Sequence, residues 1–266
     1  MKYRILLSND DGIDAPGIRA VYEELRKIAH VTVVAPNSER SAAGHAISVF
    51  NDLYLEERTE NDHVWGYGLD GTPADCVKFA ITQLMPKPPH LVVSGINRGQ
   101  NTGNSILYSG TVAAAMEGAM YGFPSMAVSL AALHPLVPYF DFAAKIARRI
   151  SLQILEDGGL AGGLLLNVNV PNCKEEEIGG IVITKQGSSK FEDFFKSKGH
   201  IKGFPAWQNV GGKMLASPEE EDFDDIILSQ NKVSITPLHY DLTHHEHRQK
   251  LNNWMTHDLE NQFLND

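Results

Sequence analysis

Two neighbouring carboxylates stand out in the stretch "LLSNDDGIDAPG", which runs from Leu6 to Gly17. Asp10 and Asp11 follow an apolar run and directly precede Gly12. Like charges side by side repel each other, and removing them from water is costly. A cation bound by both carboxylates would cancel the repulsion, so the pair indicates a metal site.

Further oxygen-bearing side chains follow two later strands of the predicted sheet. Ser41 lies in "APNSERSAAGH", and both Asn97 and Asn101 lie in "SGINRGQNTGN". Ligands of open parallel sheets bind outside the carboxyl ends of the strands. Together with the two aspartates these side chains offer oxygen atoms and no Cys or His ligand. Because hard divalent cations prefer oxygen donors, we expect one Mg²⁺ or Mn²⁺ ion.

A helix start supplies the next element of the site. "SGTVAAAMEGAM" begins with Ser109, Gly110 and Thr111, and Ser109 is expected to cap the helix. Small side chains let a ligand approach the backbone, and the free N–H groups at the positive end of the helix dipole favour phosphate. The sequence therefore predicts a phosphate cradle here. Asp14 is expected only to cap the first helix.

Other motifs that could do chemistry are weaker. The stretch "HYDLTHHEH" (His239 to His247) lacks the helical HExxH pattern of zinc enzymes, which favours a surface or interface role. Cys76 and Cys173 are far apart and have no metal-like spacing, so we expect unpaired thiols in a reducing compartment. Lys78 and Lys185 are expected to be solvated.

The amino-acid composition limits the classes of partner that the chain is expected to bind. The 266 residues include 23 basic and 33 acidic side chains, for a net charge of −10. This balance argues against binding to a nucleic-acid duplex or to an acidic membrane, although one local cation can reverse the field of a small site. No apolar segment approaches the roughly 20 residues of a membrane span, and the first residues do not resemble a signal peptide. We therefore expect a cytoplasmic location.

Short apolar runs alternate with helical patterns along residues 1–172. The predicted strands are "YRILLS", "VTVVAP", "HLVVSG", "PSMAVSL" and "LLLNVNV". The predicted helices cover Pro16–Ala29, residues 71–84 with Thr72 as the N-cap, Ser109–Met120 and Tyr139–Leu155. Near-continuous apolar strands that alternate with helices predict an α/β, Rossmann-like, doubly wound and mainly parallel sheet.

Two regions depart from this alternation. Residues 46–68 contain the short β-like runs "AISVF", "LYLEE" and "VWGYG", which predict a small antiparallel excursion. Residues 173–266 are predicted to form a β-rich C-terminal extension of hairpins and a terminal helix, used for subunit contacts. The acidic run Glu219 to Asp225 is expected to be a solvated face or loop.

Four motifs in order along the first two thirds of the chain resemble one family. "NDDG", "APNSERSAAGH", "GTPADCV" and "SGINRGQNTGNSILYSGTVAAAMEG" are similar to those of the SurE family, the survival-protein 5′/3′-nucleotidases. The resemblance implies a metal-dependent phosphatase that acts on nucleoside 5′-monophosphates, with 3′-monophosphates and polyphosphate as further substrates, and that forms homodimers or homotetramers. The family's metal ligands correspond to Asp10, Asp11, Ser41 and Asn97. Its catalytic and phosphate-binding residues correspond to Asp10, Asp11, Asn9, Asn97, Asn101, Ser109, Gly110 and Thr111.

Other functions fit the residues less well. A signalling receiver domain would need a phospho-accepting Asp after a later strand, where the chain has Ser94 and Asn97. A dinucleotide-dependent oxidoreductase would need GxGxxG after the first strand. A non-catalytic nucleotide-binding module stays open, as does the choice between Asp10 and Asp11 as base. Attack on phosphorus by water and attack by an aspartyl nucleophile also stay open.

Overall fold

The computed structural model describes residues 2–132, 137–158, 160, 163–218 and 222–252. Its first seven strands are β1 (Arg4–Ser8), β2 (His30–Pro36), β3 (Leu55–Glu60), β4 (His63–Leu69), β5 (Leu91–Arg98), β6 (Ser125–Leu130) and β7 (Leu164–Val170). The later strands are β8 (Ile181–Ile183), β9 (Lys190–Phe191), β10 (Phe195–Ile201), β11 (Phe204–Asn209), β12 (Met214–Leu215) and β13 (Val233–His239). The helices are α1 (Pro16–Leu25), α2 (Pro73–Phe79), α3 (Gly110–Met120), α4 (Phe140–Asp157) and α5 (Asp224–Ser229).

A nine-stranded sheet in the order β3-β4-β2-β1-β5-β6-β7-β13-β8 forms the centre of the protein. Strands β4, β2, β1, β5, β6 and β7 pair in parallel, whereas β3 is antiparallel at one edge and β13 is antiparallel to β7. The predicted mainly parallel, doubly wound α/β sheet with additional C-terminal strands is confirmed.

Helices cover both faces of this sheet, which explains why its central strands β1, β5 and β6 are largely buried. Leu7 belongs to the core on the α1 and α4 face, together with Ile18. The neighbouring Leu6 points the other way and packs with Cys76 of α2 and Ala114 of α3. Alternate residues of a strand face opposite sides, so the middle of β1, from Ile5 to Leu7, is apolar on both faces.

The helix starts follow from local capping. Thr72 and Asp75 form a reciprocal capping box at α2, and Ser109 caps α3 by accepting the Val112 N–H at 3.1 Å, as predicted. The prediction that Asp14 caps α1 is wrong. The N-cap is Ala15 without a side-chain bond, and the exposed Asp14 carboxylate lies 3.6 Å from Arg58 instead. Asp14 lies one residue too early to reach the first free N–H groups.

The antiparallel excursion is smaller than predicted. β3 and β4 form the expected hairpin, but residues 46–50 are not a strand. The backbone there is bound by side chains of the α2 capping box. The Thr72 hydroxyl donates to Ala46 O at 2.7 Å, and the Ser48 N–H donates to Asp75 at 2.9 Å. Groups used in this way cannot join a strand ladder.

The C-terminal region adds strands to the main sheet and forms a separate β10–β11 hairpin. Residues 245–252 are helical, and residues 253–266 of the predicted terminal helix lie outside the described residues. The prediction of a solvated acidic run is wrong for Asp224 and Asp225, which are buried at the start of α5; residues 219–221 are not described. The division at residues 172 and 173 stays a prediction. No helix among the described residues is long and apolar enough to cross a membrane.

Candidate active site

Asp10 lies between the end of β1 and the first turn of α3. The Thr111 hydroxyl donates to its carboxylate, and a Cβ added to Gly110 would lie 2.8 Å from Asp10 Cβ. The pKa of Asp10 is raised from 3.8 to about 6, mainly by burial; the hydrogen bond from Thr111 opposes this rise, and the neighbouring charge of Asp11 contributes to it. The glycine therefore permits a close approach between a buried carboxylate and a helix N-terminus.

Asp11 points to a different element. Its carboxylate accepts the backbone N–H of Arg98, at the end of β5, at 3.1 Å. Burial raises the pKa of Asp11, while the Arg98 N–H lowers it and the charge of Glu39 raises it. The two aspartates thus connect the carboxyl ends of neighbouring strands β1 and β5, as expected for a ligand site in a parallel sheet.

The loop after β2 lies against Asp10 and brings Ser41 to the same edge. The Arg40 N–H donates to Asp10 O at 2.8 Å, and the Gly44 N–H donates to Tyr108 O at 3.1 Å, next to the start of α3. Ser41 is exposed, and its hydroxyl donates to the Glu39 carboxylate. A hydroxyl whose proton is held in this way keeps its lone pairs for a cation.

Two asparagine side chains at this edge keep their amide oxygens available. Asn97 Nδ2 donates to Gly99 O at 2.7 Å, and Asn9 Nδ2 donates to Gly12 O at 2.8 Å. Asn9 Oδ1 is buried and receives no hydrogen bond from the described residues. A buried acceptor without a donor is costly, so its presence beside the aspartates fits a site that a ligand or water completes.

The predicted phosphate side lies on the loop from Asn101 to Ser109 and on the first turn of α3. Asn101 Nδ2 donates to the Ser129 hydroxyl at 2.9 Å, which uses one of its two N–H protons. The first N–H groups of a helix have no intrahelical partner. Gly110 and Thr111 therefore present backbone donors beside Asp10, where the sequence predicted a phosphate cradle.

The donor set fits a hard divalent cation. It consists of two carboxylates, one hydroxyl oxygen and one amide oxygen, from Asp10, Asp11, Ser41 and Asn97. In the part of the chain that the structure describes, no three His, Cys, Asp or Glu side chains form a metal cluster. The hydroxyl and amide ligands are therefore essential to the predicted site, and such neutral oxygens suit Mg²⁺ or Mn²⁺ rather than Zn²⁺.

Sequence reasoning missed several buried polar residues around the site. Asn167 and Asn169 of β7, and Asp224 of α5, bind the loop that carries Asn101. The alternation in "LLLNVNV" was the available signal, since it puts two amides on one face of a buried strand. Glu117 of α3 is also buried.

Glu117 joins three elements near the site. Its carboxylate pairs with His45 at 2.8 Å and with Lys78 at 3.2 Å, so the partly exposed Lys78 has a buried partner that the sequence did not indicate. Lys185 is exposed, as expected, and pairs with the exposed Asp222 at 3.0 Å. The His45 contact ties the loop that carries Ser41 to α3.

Comparisons with known proteins agree with this architecture. The family model described as "Survival protein SurE" matches residues 5–193. The chain is 42% identical to the 5′-nucleotidase SurE of Heliobacterium modesticaldum over 253 residues, which is 95% of this chain and 92% of the relative. It is also 42% identical to the 5′-nucleotidase SurE of Syntrophobacter fumaroxidans, with 94% of this chain and 99% of the relative covered.

A solved structure extends the likeness to three dimensions. The crystal structure of the SurE protein from Aquifex aeolicus superposes with a TM-score of 0.79 at 36% identity, covering 94% of this chain and 99% of that one. The match to the family model over residues 5–193 and the 42% identity to relatives over nearly the whole chain lead to one assignment: the chain belongs to the SurE family.

Proposed function

We propose that this chain hydrolyses nucleoside 5′-monophosphates to nucleoside and phosphate, with one Mg²⁺ or Mn²⁺ ion held by Asp10, Asp11, Ser41 and Asn97. The names of the relatives as 5′-nucleotidases support the reaction. The observation that carries the site assignment is the contact of Asp10 with the first turn of α3. This contact supports the proposal, because a cation on the Asp10 carboxylate and the first N–H groups of α3 would then act on one phosphoryl group.

The roles of the residues follow from their donors and acceptors. A bound divalent cation would supply positive charge against a phosphate oxygen and ease the deprotonation of water. The backbone N–H groups of Gly110 and Thr111 bind other phosphate oxygens, and Asn101 adds its second Nδ2 proton. Ser109 holds the helix start in place. Asn9 Oδ1, which receives no hydrogen bond from the described residues, orients the attacking water. Asp10 or Asp11 takes a proton from this water as its oxygen bonds to phosphorus, and the leaving ribose oxygen takes up a proton as its bond to phosphorus breaks.

Phosphate release from a substrate panel tests the reaction. The panel contains nucleoside 5′-monophosphates, 3′-monophosphates and inorganic polyphosphate, each with Mg²⁺, Mn²⁺ or EDTA. We expect release from 5′-monophosphates with a metal and none with EDTA, and we propose slower release from the other two. A protein that binds these nucleotides but releases no phosphate with either metal would be a binding module instead.

The nucleophile is a separate question with its own measurement. We propose that water attacks phosphorus directly, which inverts the configuration of an isotopically chiral thiophosphoryl group in one turnover, whereas an aspartyl phosphate hydrolysed at phosphorus gives retention. In ¹⁸O-water both routes label the released phosphate, and label in the side chain of Asp10 or Asp11 would show an aspartyl intermediate that is opened at its carboxyl carbon. The enzyme is used in excess over substrate, so that each active site turns over once.

We also propose a homodimer or homotetramer. The β10–β11 hairpin carries exposed apolar side chains, with Phe195, Phe204 and Trp207 each more than half accessible. Such a patch is characteristic of a protein interface. Light scattering after gel filtration should give a mass of two or four chains, and a monomeric mass would contradict the proposal.

The proposed compartment is the cytoplasm. Cys76 is buried in the α2 core and Cys173 is partly exposed, and both are free thiols. Unpaired thiols are usual in reducing compartments. Fractionation of the host cell, with the chain detected by antibody, tests this placement.

A further inference from the structure

The loop that carries Asn101 is held by buried side chains that the proposed chemistry does not use. Asn167 and Asn169 of β7 are both fully buried. A buried amide costs free energy unless its hydrogen bonds are made. Asn169 bonds the backbone of Asn101 through both of its amide atoms, and Asn167 bonds the same residue through Nδ2, although its Oδ1 has no partner among the described residues. This convergence on one loop residue is the feature that needs an explanation.

Asn169 binds the backbone of Asn101 at two points. Its Oδ1 accepts the Asn101 N–H at 2.8 Å, and its Nδ2 donates to Asn101 O at 3.0 Å. Asn167 Nδ2 donates to the same carbonyl oxygen at 2.8 Å. Because the side chain of Asn101 also binds Ser129, the residue is fixed at its N–H, its carbonyl and its side chain.

A second restraint acts two residues further on. The Gly103 N–H donates to the buried Asp224 carboxylate at 3.0 Å, and the same carboxylate accepts the Gly187 N–H at 2.9 Å. A Cβ on Gly103 would lie 2.6 Å from Ser189 N, so the loop also packs closely against the C-terminal region. The segment just before α3 is thus fixed from β7 and from α5.

We propose that Asn167 and Asn169 are positioning residues that hold Asn101 ready to bind the phosphate of the substrate. This inference deepens the proposed function and rests on it. A glycine-rich loop is otherwise costly to order on binding, and contacts made in advance remove that cost. The amides therefore act on phosphate binding and turnover through Asn101, without touching the substrate.

The main test is Asn169→Ala, compared with wild type for phosphate release and for the affinity of inorganic phosphate measured by calorimetry. We expect kcat/KM to fall by about 100-fold, as for a misplaced binding group, and phosphate to bind at least tenfold more weakly. The affinity for Mn²⁺ should change less than twofold, because no predicted metal ligand is altered. A general loss of structure would instead weaken the binding of both phosphate and Mn²⁺.

Thr236→Val is the matched control. Thr236 is buried on β13 beside Asn167 and bonds Thr184 at 2.8 Å, so the substitution also removes a buried hydrogen bond. It does not touch the loop, and its kcat/KM should stay within twofold of wild type. A double-mutant cycle with Asn101→Ala adds a second check, since Asn169→Ala should have little further effect once the side chain of Asn101 is gone.

Several outcomes would overturn the proposal. Unchanged phosphate affinity in a folded Asn169→Ala variant would do so, as would additive effects in the cycle. If Asn169→Ala does not fold, Asn167→Ala removes one of the two amide donors to Asn101 O and is judged by the same criteria. Phosphate binding needs no turnover, so a wild-type protein that binds phosphate but hydrolyses no nucleotide would contradict the proposed function alone.

Discussion

Asn in place of Asp10 should make the metal-free protein more stable at alkaline pH while abolishing its activity. Asp10 is buried between β1 and α3, and its folded-state pKa of about 6 lies above the ordinary value of 3.8. Folding therefore favours the protonated form. The contribution of protonated Asp10 to the free energy of unfolding is complete below pH 3.8, and it is lost as the pH rises through about 6. An asparagine side chain has nearly the same shape as an aspartate side chain, and its amide oxygen can still accept the hydrogen bond from the Thr111 hydroxyl.

The size of the effect follows from the two pKa values. A shift from 3.8 to about 6 corresponds to about 3 kcal/mol of free energy of unfolding once Asp10 is ionised in both states, at pH 8. At pH 5 the same relation predicts that the destabilisation caused by the ionisation of Asp10 is about half as large. Because an unpaired amide N–H₂ would cost about 1–3 kcal/mol of this gain, we expect Asp10→Asn to be more stable than wild type by up to about 2 kcal/mol at pH 8 and by less at pH 5.

Urea unfolding in EDTA at pH 5 and pH 8, at one protein concentration, measures this difference. Asp14→Asn is the matched control, because Asp14 is exposed on the same turn and should change stability by less than about 0.5 kcal/mol. Added Mn²⁺ should stabilise wild type and not Asp10→Asn. If the Asp10→Asn variant is less stable than wild type at pH 8 in EDTA, then burial of the ionised Asp10 carboxylate does not destabilise the folded protein.

Three further substitutions test the elements that support the site. Gly110→Ala should lower kcat by about 100-fold with little change in the circular dichroism spectrum, because the new Cβ would meet Asp10 at 2.8 Å; wild-type kcat would contradict the close approach. Thr72→Ala should lower the free energy of unfolding by about 1–2 kcal/mol in urea, since it removes the α2 cap and the bond to Ala46 O. Glu117→Gln should be less stable than wild type at pH 7. The His45 hydrogen bond lowers the pKa of Glu117 below 4.5, so its stabilisation is present above that pH and is lost as the pH falls through the folded-state pKa. The difference between the two proteins should therefore shrink in acid, and a constant difference would refute the assignment.

The parallel sheet and the candidate site at its edge could be predicted because their signals are local. The apolar strands, the Thr72 cap and the Ser109 cap each depend on a few neighbouring residues, and the structure has all of them. The grouping of Asp10 with the start of α3 follows from one topological rule about strand ends. Local patterns combined with that rule were sufficient to predict the parallel sheet and the position of Asp10 next to the start of α3.

The rest depends on partners that are distant in sequence. Residues 46–50 look like a strand, but side chains of α2 bind their backbone. Asp224 looks like part of a solvated acidic run, yet it is buried because three backbone N–H groups surround it, from Gly103, Gly187 and Asp225. Charge alone predicts exposure, and only the three-dimensional fold shows which charges find donors.

The bond between Gly103 and Asp224 has a consequence for synthesis. The two residues are 121 positions apart, so the ribosome needs about 10 s after making the loop before it adds the carboxylate that holds it. β7 (Leu164–Val170) is made within this interval, and until β13 (Val233–His239) follows, β7 has no antiparallel neighbour and forms an open edge of the nascent sheet. The Asp224 restraint on the loop that carries Asn101 therefore becomes available only well after the loop itself has been made.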